Sequence, residues 1–274
     1  MVCAVGDGVT GIGVGERVAV DPNNACGQCS YCRRGRVNLC KNLDPIGVTR
    51  DGGFAEYCRV PAAQVYPLPD SVSFEEGALM EPLACAVRGI QMAEIEPGDT
   101  VAVLGGGPMG GLLIQLARIR GAGKIFLSEP IPKRRDIALS LGADMAVNPL
   151  QDDVRRALLS LDPEGADVVF EAAGLAATAE QSLHLAKRGG KVIFFGVVPP
   201  AEKVEVSPYL INENELTIRG SFNNPLTNSR ALELIASSRV NVKPYISHRF
   251  PIERFEEAFS LFGKPEVFKI LIVA

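Results

Sequence analysis

Val101-Ala102-Val103-Leu104-Gly105-Gly106-Gly107-Pro108-Met109-Gly110 is the stretch that decides the fold. Four apolar residues run without a break, as in a strand buried on both faces. The glycines that follow are spaced G-x-G-x-x-G, and a helical pattern opens directly behind them. In that arrangement Gly105 permits a tight turn, Gly107 lets the backbone approach a pyrophosphate, and Gly110 permits close packing of helix on strand. Pro108 and Met109 sit where the helix begins, and a helix N-terminus faces phosphates with free N–H groups and a positive dipole end.

Outward from this stretch the pattern repeats. Short apolar runs at residues 101–104, 125–127, 145–147, 168–170, 192–195 and 216–218 alternate with helical stretches at 109–120, 132–141, 152–160 and 175–187. Apolar runs alternating with helices imply parallel strands covered on both faces. The reading is an α/β fold with a doubly wound, six-stranded parallel Rossmann sheet. Glu129 ends the second run, 19 residues past Gly110. A carboxylate there accepts hydrogen bonds from the adenosine ribose and repels a 2′-phosphate, which favours NAD over NADP. Lys133, Arg134 and Arg135, close behind, pull the other way. Gly174 and Gly196 follow the fourth and fifth runs, where strand ends line the ligand crevice of such folds.

The flanks read differently. Residues 1–70 are rich in Gly and Pro, with short strands expected at 17–20 and 55–60, and a helix is expected over 75–93 with Glu75 and Glu76 in its first turn. The tail reads as a helix at 229–237, an extended turn-rich stretch at 240–250, a helix at 253–262 and a closing strand at 268–273. Two domains result. Residues 1–83 and 225–274 form one, and the dinucleotide-binding domain, 84–224, is inserted between them.

Between these flanking strands lies Cys26-x2-Cys29-x2-Cys32-x7-Cys40. Zinc takes four soft ligands in a tetrahedron, and short loops at this spacing wrap one ion. No histidine or fifth cysteine lies nearby to leave an open position, so the lobe at 26–40 reads as a closed, structural zinc site; an iron–sulfur cluster uses the same four thiolates. Arg33, Arg34, Arg36 and Lys41 offset the negative charge of the thiolates. Cys3, Cys58 and Cys85 stand alone and are expected to be small buried hydrophobes. The crowding of four cysteines fits a reducing compartment, and with neither a signal-peptide pattern nor an apolar run long enough for a bilayer, a cytoplasmic location is expected. A net charge of -4 offers no basic field, so nucleic acid is not an expected partner, and neither is a membrane.

These features together resemble the zinc-containing medium-chain alcohol dehydrogenase family. Gly52-Gly53-Phe54-Ala55-Glu56-Tyr57 and Gly98-Asp99-Thr100-Val101 are similar to motifs of that family. Glu81-Pro82-Leu83-Ala84, Val240-Asn241-Val242-Lys243-Pro244 and His248-Arg249-Phe250-Pro251 resemble its polyol branch, the sorbitol and iditol dehydrogenases. The resemblance implies an incomplete GroES-like, mainly-β catalytic domain around the Rossmann domain. It implies that Glu81 lies at a catalytic zinc, as a ligand or bonded to its water, although on residue type alone Glu81 is an acid in the first turn of a helix. It implies that Arg134 supports the cofactor near Glu129. It also implies that Ala173-Gly174, Gly196-Val197-Val198 and Ser221-Phe222-Asn223 line the cofactor path toward the nicotinamide. The family reaction is oxidation of a secondary alcohol or polyol to a ketone with NAD, and edge strands of the sheet allow a homodimer or tetramer.

The family also carries, ahead of the point where this sequence starts, a cysteine ligand and a Gly-His-Glu motif. His184 and His248 are the two histidines here, and neither stands in for it. A catalytic zinc needs about three protein ligands. The chain as given is therefore expected to lack most catalytic ligands, unless another polypeptide supplies them, and the rival reading is a non-catalytic NAD-binding, zinc-stabilised protein.

Overall fold

The computed structural model describes residues 1–273. Along the chain, β1 (Val18–Val20), β2 (Val65–Pro67), α1 (Phe74–Gly77) and α2 (Met80–Ala93) come first. Then follow β3 (Thr100–Leu104), α3 (Pro108–Arg120), β4 (Lys124–Ser128), α4 (Pro132–Ser140), β5 (Met145–Val147) and α5 (Val154–Leu161). Next are β6 (Ala166–Glu171), α6 (Ala176–Leu185), β7 (Ala186–Phe194), α7 (Pro208–Glu213) and β8 (Thr217–Gly220). The chain finishes with α8 (Asn228–Ala236), β9 (Ile246–Pro251), α9 (Phe255–Ser260) and β10 (Lys269–Val273). Two compact units divide these elements: Met1–Cys85 with residues 223–273, and Ala86–Phe222. No helix among the described residues is long and apolar enough to cross a membrane.

The unit Ala86–Phe222 is the six-stranded parallel sheet, in the order β5-β4-β3-β6-β7-β8. Every residue of β3 is buried, as the unbroken apolar run requires. Phe126, Ala102, Val169 and Val192, from the four adjacent strands β4, β3, β6 and β7, pack with Leu158 of α5 and Leu183 of α6 in one apolar cluster. Helix α3 starts with Gly107 at its N-cap and Pro108 in the first turn, and stops at Gly121, whose φ of 100° is open to glycine. The strand order reverses between β3 and β6, which is where ligands bind in open sheets of this kind.

The other unit holds two two-stranded pairings, β1 with β2 antiparallel and β9 with β10 parallel. A buried polar cluster ties its two chain segments together. Asp21, 7% exposed, accepts from the amides of Asn224 and Asn228 and from the N–H of Asn23. Thr227 donates to the carbonyl of Ala84 at 2.8 Å.

Two sequence expectations fail here. Residues 55–60 form no strand; they are largely exposed and find no ladder partner, while β1 pairs with Val65–Pro67 instead. The helix expected over 75–93 is two helices broken after Gly77. The first is opened by a capping box between Ser73 and Glu76, and its last residue, Gly77, packs so tightly on Leu68 that a Cβ there would lie 2.8 Å from its Cδ2. Helix α7, which opens at Pro208 behind a Ser207 cap, has no counterpart in the sequence reading.

Candidate functional site

The chain leaves β3 through Gly105 at φ 103°, where a Cβ would stand 2.8 Å from the amide nitrogen of Ala173. A Cβ on Gly110 would stand 1.9 Å from the carbonyl oxygen of Gly105, so helix α3 lies on the turn with no room for a methyl. Gly107 differs: a Cβ there would meet nothing within 4 Å. No internal contact requires Gly107 to be glycine, and open space lies beside it at the N-terminus of α3, where the amides of Met109 and Gly110 belong to the unpaired first turn.

Glu129 follows β4 and is 2% exposed. Its Oε2 accepts from the Gly106 N–H at 2.7 Å and its Oε1 from the Ile131 N–H at 2.9 Å. Arg134 Nη1 lies 3.8 Å from Oε2. The sequence pattern assigns this acid to a ribose; the structure gives it a second task, bracing the glycine turn. A carboxylate has about four acceptor positions, so the two tasks are compatible.

The remaining cofactor candidates of this unit lie at the C-terminal ends of β6, β7 and β8. Gly174, at φ 73°, would carry a Cβ 2.9 Å from the carbonyl oxygen of Val197, and a Cβ on Gly196 would stand 2.4 Å from the Gly174 nitrogen. The turns holding Ala173-Gly174 and Gly196-Val197-Val198 thus touch through backbone. Val197 and Phe222 are exposed, and the Ser221 N–H donates to the carbonyl of Phe194 at 3.0 Å. Asn223 falls in the other unit, where its side-chain amide donates to Asn23 at 3.2 Å. Glu171, the last residue of β6, went unnoticed in the sequence. It is fully buried and its Oε1 accepts from the Ala173 N–H, the Gly174 N–H and the Thr178 hydroxyl. The available signal was an acid closing an apolar run directly ahead of Ala-Ala-Gly.

In the other unit Cys26, Cys29, Cys32 and Cys40 place their sulfurs within 4.8 Å of one another, the one such gathering of three or more His, Cys, Asp or Glu among the described residues. Gly27 and Gly35, at φ 71° and 74°, make the turns. The N–H groups of Cys26 and Asn42 both donate to Cys40 Sγ at 3.3 Å. The backbone N–H of Cys32 is the main cause that draws the Cys29 thiol down to about 6, while burial and the neighbouring thiols push Cys32 up to about 12. Four sulfurs this close ionise together only around a cation, and the donor set, spacing and N–H···S bonds fit a structural zinc.

Glu81 stands in the first turn of α2. Burial, aided by the negative charge of Asp21, holds its carboxyl above the usual range, and the Cys85 thiol donates to Oε1 at 3.3 Å. His248 pairs its Nδ1 with the Ser247 hydroxyl at 2.9 Å, and His184 lies in the last turn of α6. Cys3 and Cys58, expected to be buried, are exposed, because residues 1–6 and 55–60 run without strand partners; Cys85 is half-buried.

Comparison with known proteins follows the same division. Residues 1–70 match the family model described as alcohol dehydrogenase GroES-like domain, and residues 108–237 match the model described as zinc-binding dehydrogenase. The chain is 32% identical to sorbitol dehydrogenase of Bacillus subtilis strain 168, over 99% of this chain and 78% of that protein. It is 35% identical to L-threonine 3-dehydrogenase of Pyrococcus abyssi, over 99% and 79%. A solved structure described as a zinc-binding dehydrogenase of Sinorhizobium meliloti 1021 bound to NADP superposes with a TM-score of 0.95 at 42% identity, covering 99% of this chain and 80% of that one. A second, described as a short chain alcohol dehydrogenase of Escherichia coli CFT073 complexed with NADH, gives 0.93 at 28% identity, over 99% and 80%.

Proposed function

Because the chain belongs to the zinc-binding alcohol dehydrogenase family, we propose that it is a zinc-stabilised protein that binds NAD(H) in the crevice beside Gly107. The observation that carries the reading is the contrast among three glycines: Gly105 and Gly110 are pinned by neighbouring backbone, and Gly107 faces open space. A glycine that nothing inside the protein requires is explained by a pyrophosphate approaching its backbone. Glu129 and Arg134 would hold the adenosine ribose. Ala173, Gly174, Gly196, Val197, Val198, Ser221 and Phe222 would flank the rest of the cofactor. The carboxylate of Glu129 favours NAD, whereas one relative was solved with NADP and another with NADH. When bound, the nicotinamide supplies a hydride acceptor.

The test is zinc content and cofactor titration on one sample. NADH fluorescence enhancement with one zinc per chain supports the proposal, and NADPH binding more tightly than NADH reverses the assignment of Glu129. Absence of any enhancement at saturating NADH removes the proposal.

A second reading is favoured by Glu81, a carboxyl kept largely out of water at the start of α2. In it the protein oxidises a secondary alcohol by hydride transfer to NAD, with Glu81 at a second zinc. The named relatives span a polyol and an amino acid, so the substrate class is drawn no finer than a secondary alcohol, with a polyol first to try. Two zincs per chain, with NADH appearing from NAD and a polyol, select this reading; one zinc with cofactor binding but no turnover selects the first.

A further inference from the structure

The buried acid at the end of β6 has a place in this crevice that the glycine pattern does not announce. Glu171 is 0% exposed. Its Oε1 takes three hydrogen bonds, from the Ala173 N–H at 2.9 Å, the Gly174 N–H at 2.8 Å and the Thr178 hydroxyl at 2.8 Å. Its main-chain carbonyl takes two more, from Phe195 and Gly196 at 3.0 and 2.7 Å. Its Oε2 is buried with no hydrogen-bond partner and points at Gly196, where an added Cβ would lie 2.5 Å away. A fully buried carboxylate with one oxygen unmet is costly, and an apolar residue ending the strand would avoid that cost.

The residues that Glu171 fixes are the ones that touch the glycine turn. The Ala172 N–H donates to the carbonyl of Leu104 at 2.8 Å, and Gly105 lies against Ala173 with no space for a Cβ. Gly174 in turn lies against Val197. Three turns, after β3, β6 and β7, therefore meet backbone to backbone, and one residue is bonded to two of them, by its side chain to the turn after β6 and by its main-chain carbonyl to the turn after β7.

We infer that Glu171 is a positioning residue for the dinucleotide, clamping the turns at 172–174 and 195–197 against the glycine turn so that all three present one rigid wall to the cofactor. The inference rests on the reading that this crevice binds NAD(H). Binding sites depend on such supporting side chains because a turn displaced by about 1 Å no longer meets its ligand.

The experiment compares Glu171→Ala, Glu171→Gln and Thr178→Val with Thr100→Val, a loss at the opposite end of the sheet, where Thr100 bonds Asp162 at 2.6 Å. NADH affinity is read from cofactor fluorescence well below each melting temperature. Amide hydrogen exchange is read at residues 105–106 and 173–174 without cofactor. Glu171→Ala should weaken NADH about tenfold and speed exchange in both turns, Thr178→Val about threefold, and Glu171→Gln, which keeps an acceptor at Oε1, less than about threefold. Thr100→Val should leave affinity and both turns unchanged. Should Glu171→Ala not fold, Thr178→Val carries the test alone. Wild-type affinity in these variants, or an equal loss in Thr100→Val, overturns the inference. If the wild type itself does not bind NADH, the proposed function fails first. The clamp is then judged by exchange: acceleration confined to 173–174 overturns it, and acceleration that spreads to 105–106 upholds it.

Discussion

The four-cysteine lobe and the strand ends of the six-stranded sheet both hold backbone turns in fixed places, and they use different materials. In the lobe, two short 3-10 turns, Cys32–Arg34 and Val37–Leu39, bury little besides Asn38 and Cys40. Too little apolar surface is available to fold such a segment, so a metal cross-link takes the place of a core. The turns at 105–107, 172–174 and 195–197 hang instead from strands whose inner residues are fully buried, and touch where glycine stands. A lobe held by one ion fails as a whole when the ion leaves. Turns held by a sheet fail one contact at a time. The polar cluster around Asp21 is a third device, holding distant chain segments together with amide hydrogen bonds alone.

Removing the metal should produce the largest effect. Structural zinc in small lobes contributes on the order of 10 kcal/mol. Strong chelation, or Cys26→Ser with Cys29→Ser, should abolish zinc binding, unfold residues 26–42 by hydrogen exchange and lower the thermal transition, while exchange within β3 and β6 stays slow. Unchanged protection across 26–42 after verified zinc loss would show the lobe to be self-supporting and collapse the contrast with the sheet.

Gly110 and Gly107 come next, as a matched pair. Gly110→Ala drives a Cβ to within 1.9 Å of the Gly105 carbonyl oxygen, a collision of a methyl with backbone that no side-chain rotation relieves. It should cost about 3 kcal/mol or more in urea denaturation. Gly107→Ala should leave stability within about 0.5 kcal/mol, since its backbone at φ -64° suits alanine and its Cβ meets nothing. The same variant should weaken NADH about tenfold. A destabilised Gly107→Ala with normal affinity would reverse the roles assigned to the two glycines.

Asp21→Ala should lie just below the Gly110 effect. It strips the acceptor from Asn228 Nδ2 at 2.7 Å and one of two acceptors from Asn224 Nδ2, at 3.3 Å, which keeps Asn228 Oδ1 at 3.1 Å; both residues are buried. The expected loss is about 3 kcal/mol, read as a shifted urea midpoint at unchanged slope. A loss under about 0.5 kcal/mol would mean that water replaces the carboxylate and that the cluster does not bind the two segments together.

How much of this was legible in the sequence follows from what each device leaves in it. The parallel sheet was legible because burial on both faces writes unbroken apolar runs, and the zinc lobe because its four ligands all lie within residues 26–40. Residues 55–60 misled because alternation announces a strand only where a partner strand exists, and here β2 pairs at 65–67 instead. The break after Gly77 was invisible because the apolar pattern runs through it, and the close approach of Leu68 at that point is tertiary. Glu129 was found by its distance from the glycines, yet its bond to Gly106 was not, since nothing in the spacing says which way a carboxylate turns. Glu171 and Asp21 escaped for one reason. A buried acid looks like a surface acid until the N–H groups around it are seen.

The smallest expected effect lies at the amino end of the sheet, remote from the strand ends that carry the crevice. Thr100, 2% exposed at the start of β3, donates its hydroxyl to Asp162 Oδ2 at 2.6 Å and its N–H to Asp167 Oδ2 at 2.9 Å. The hydroxyl is the main cause that holds the Asp162 carboxyl below its ordinary 3.8, with the Glu164 N–H, Lys124 and Lys187 acting in the same direction against burial. A carboxylate whose folded-state pKa is depressed stabilises the fold above its unfolded pKa, and that contribution disappears as the pH falls through the folded value. Thr100→Val keeps the branched shape and the N–H bond but removes the hydroxyl. It should cost about 1 kcal/mol at pH 7, and the gap to the wild type should close as the pH falls below 3.8. A gap that is the same at pH 7 and pH 3 would assign the loss to packing around β3 and leave Asp162 out of it. Normal NADH affinity in the same variant would show that a bond lost at this end of the sheet does not reach the turns at the other, as expected if those turns are held by their own contacts.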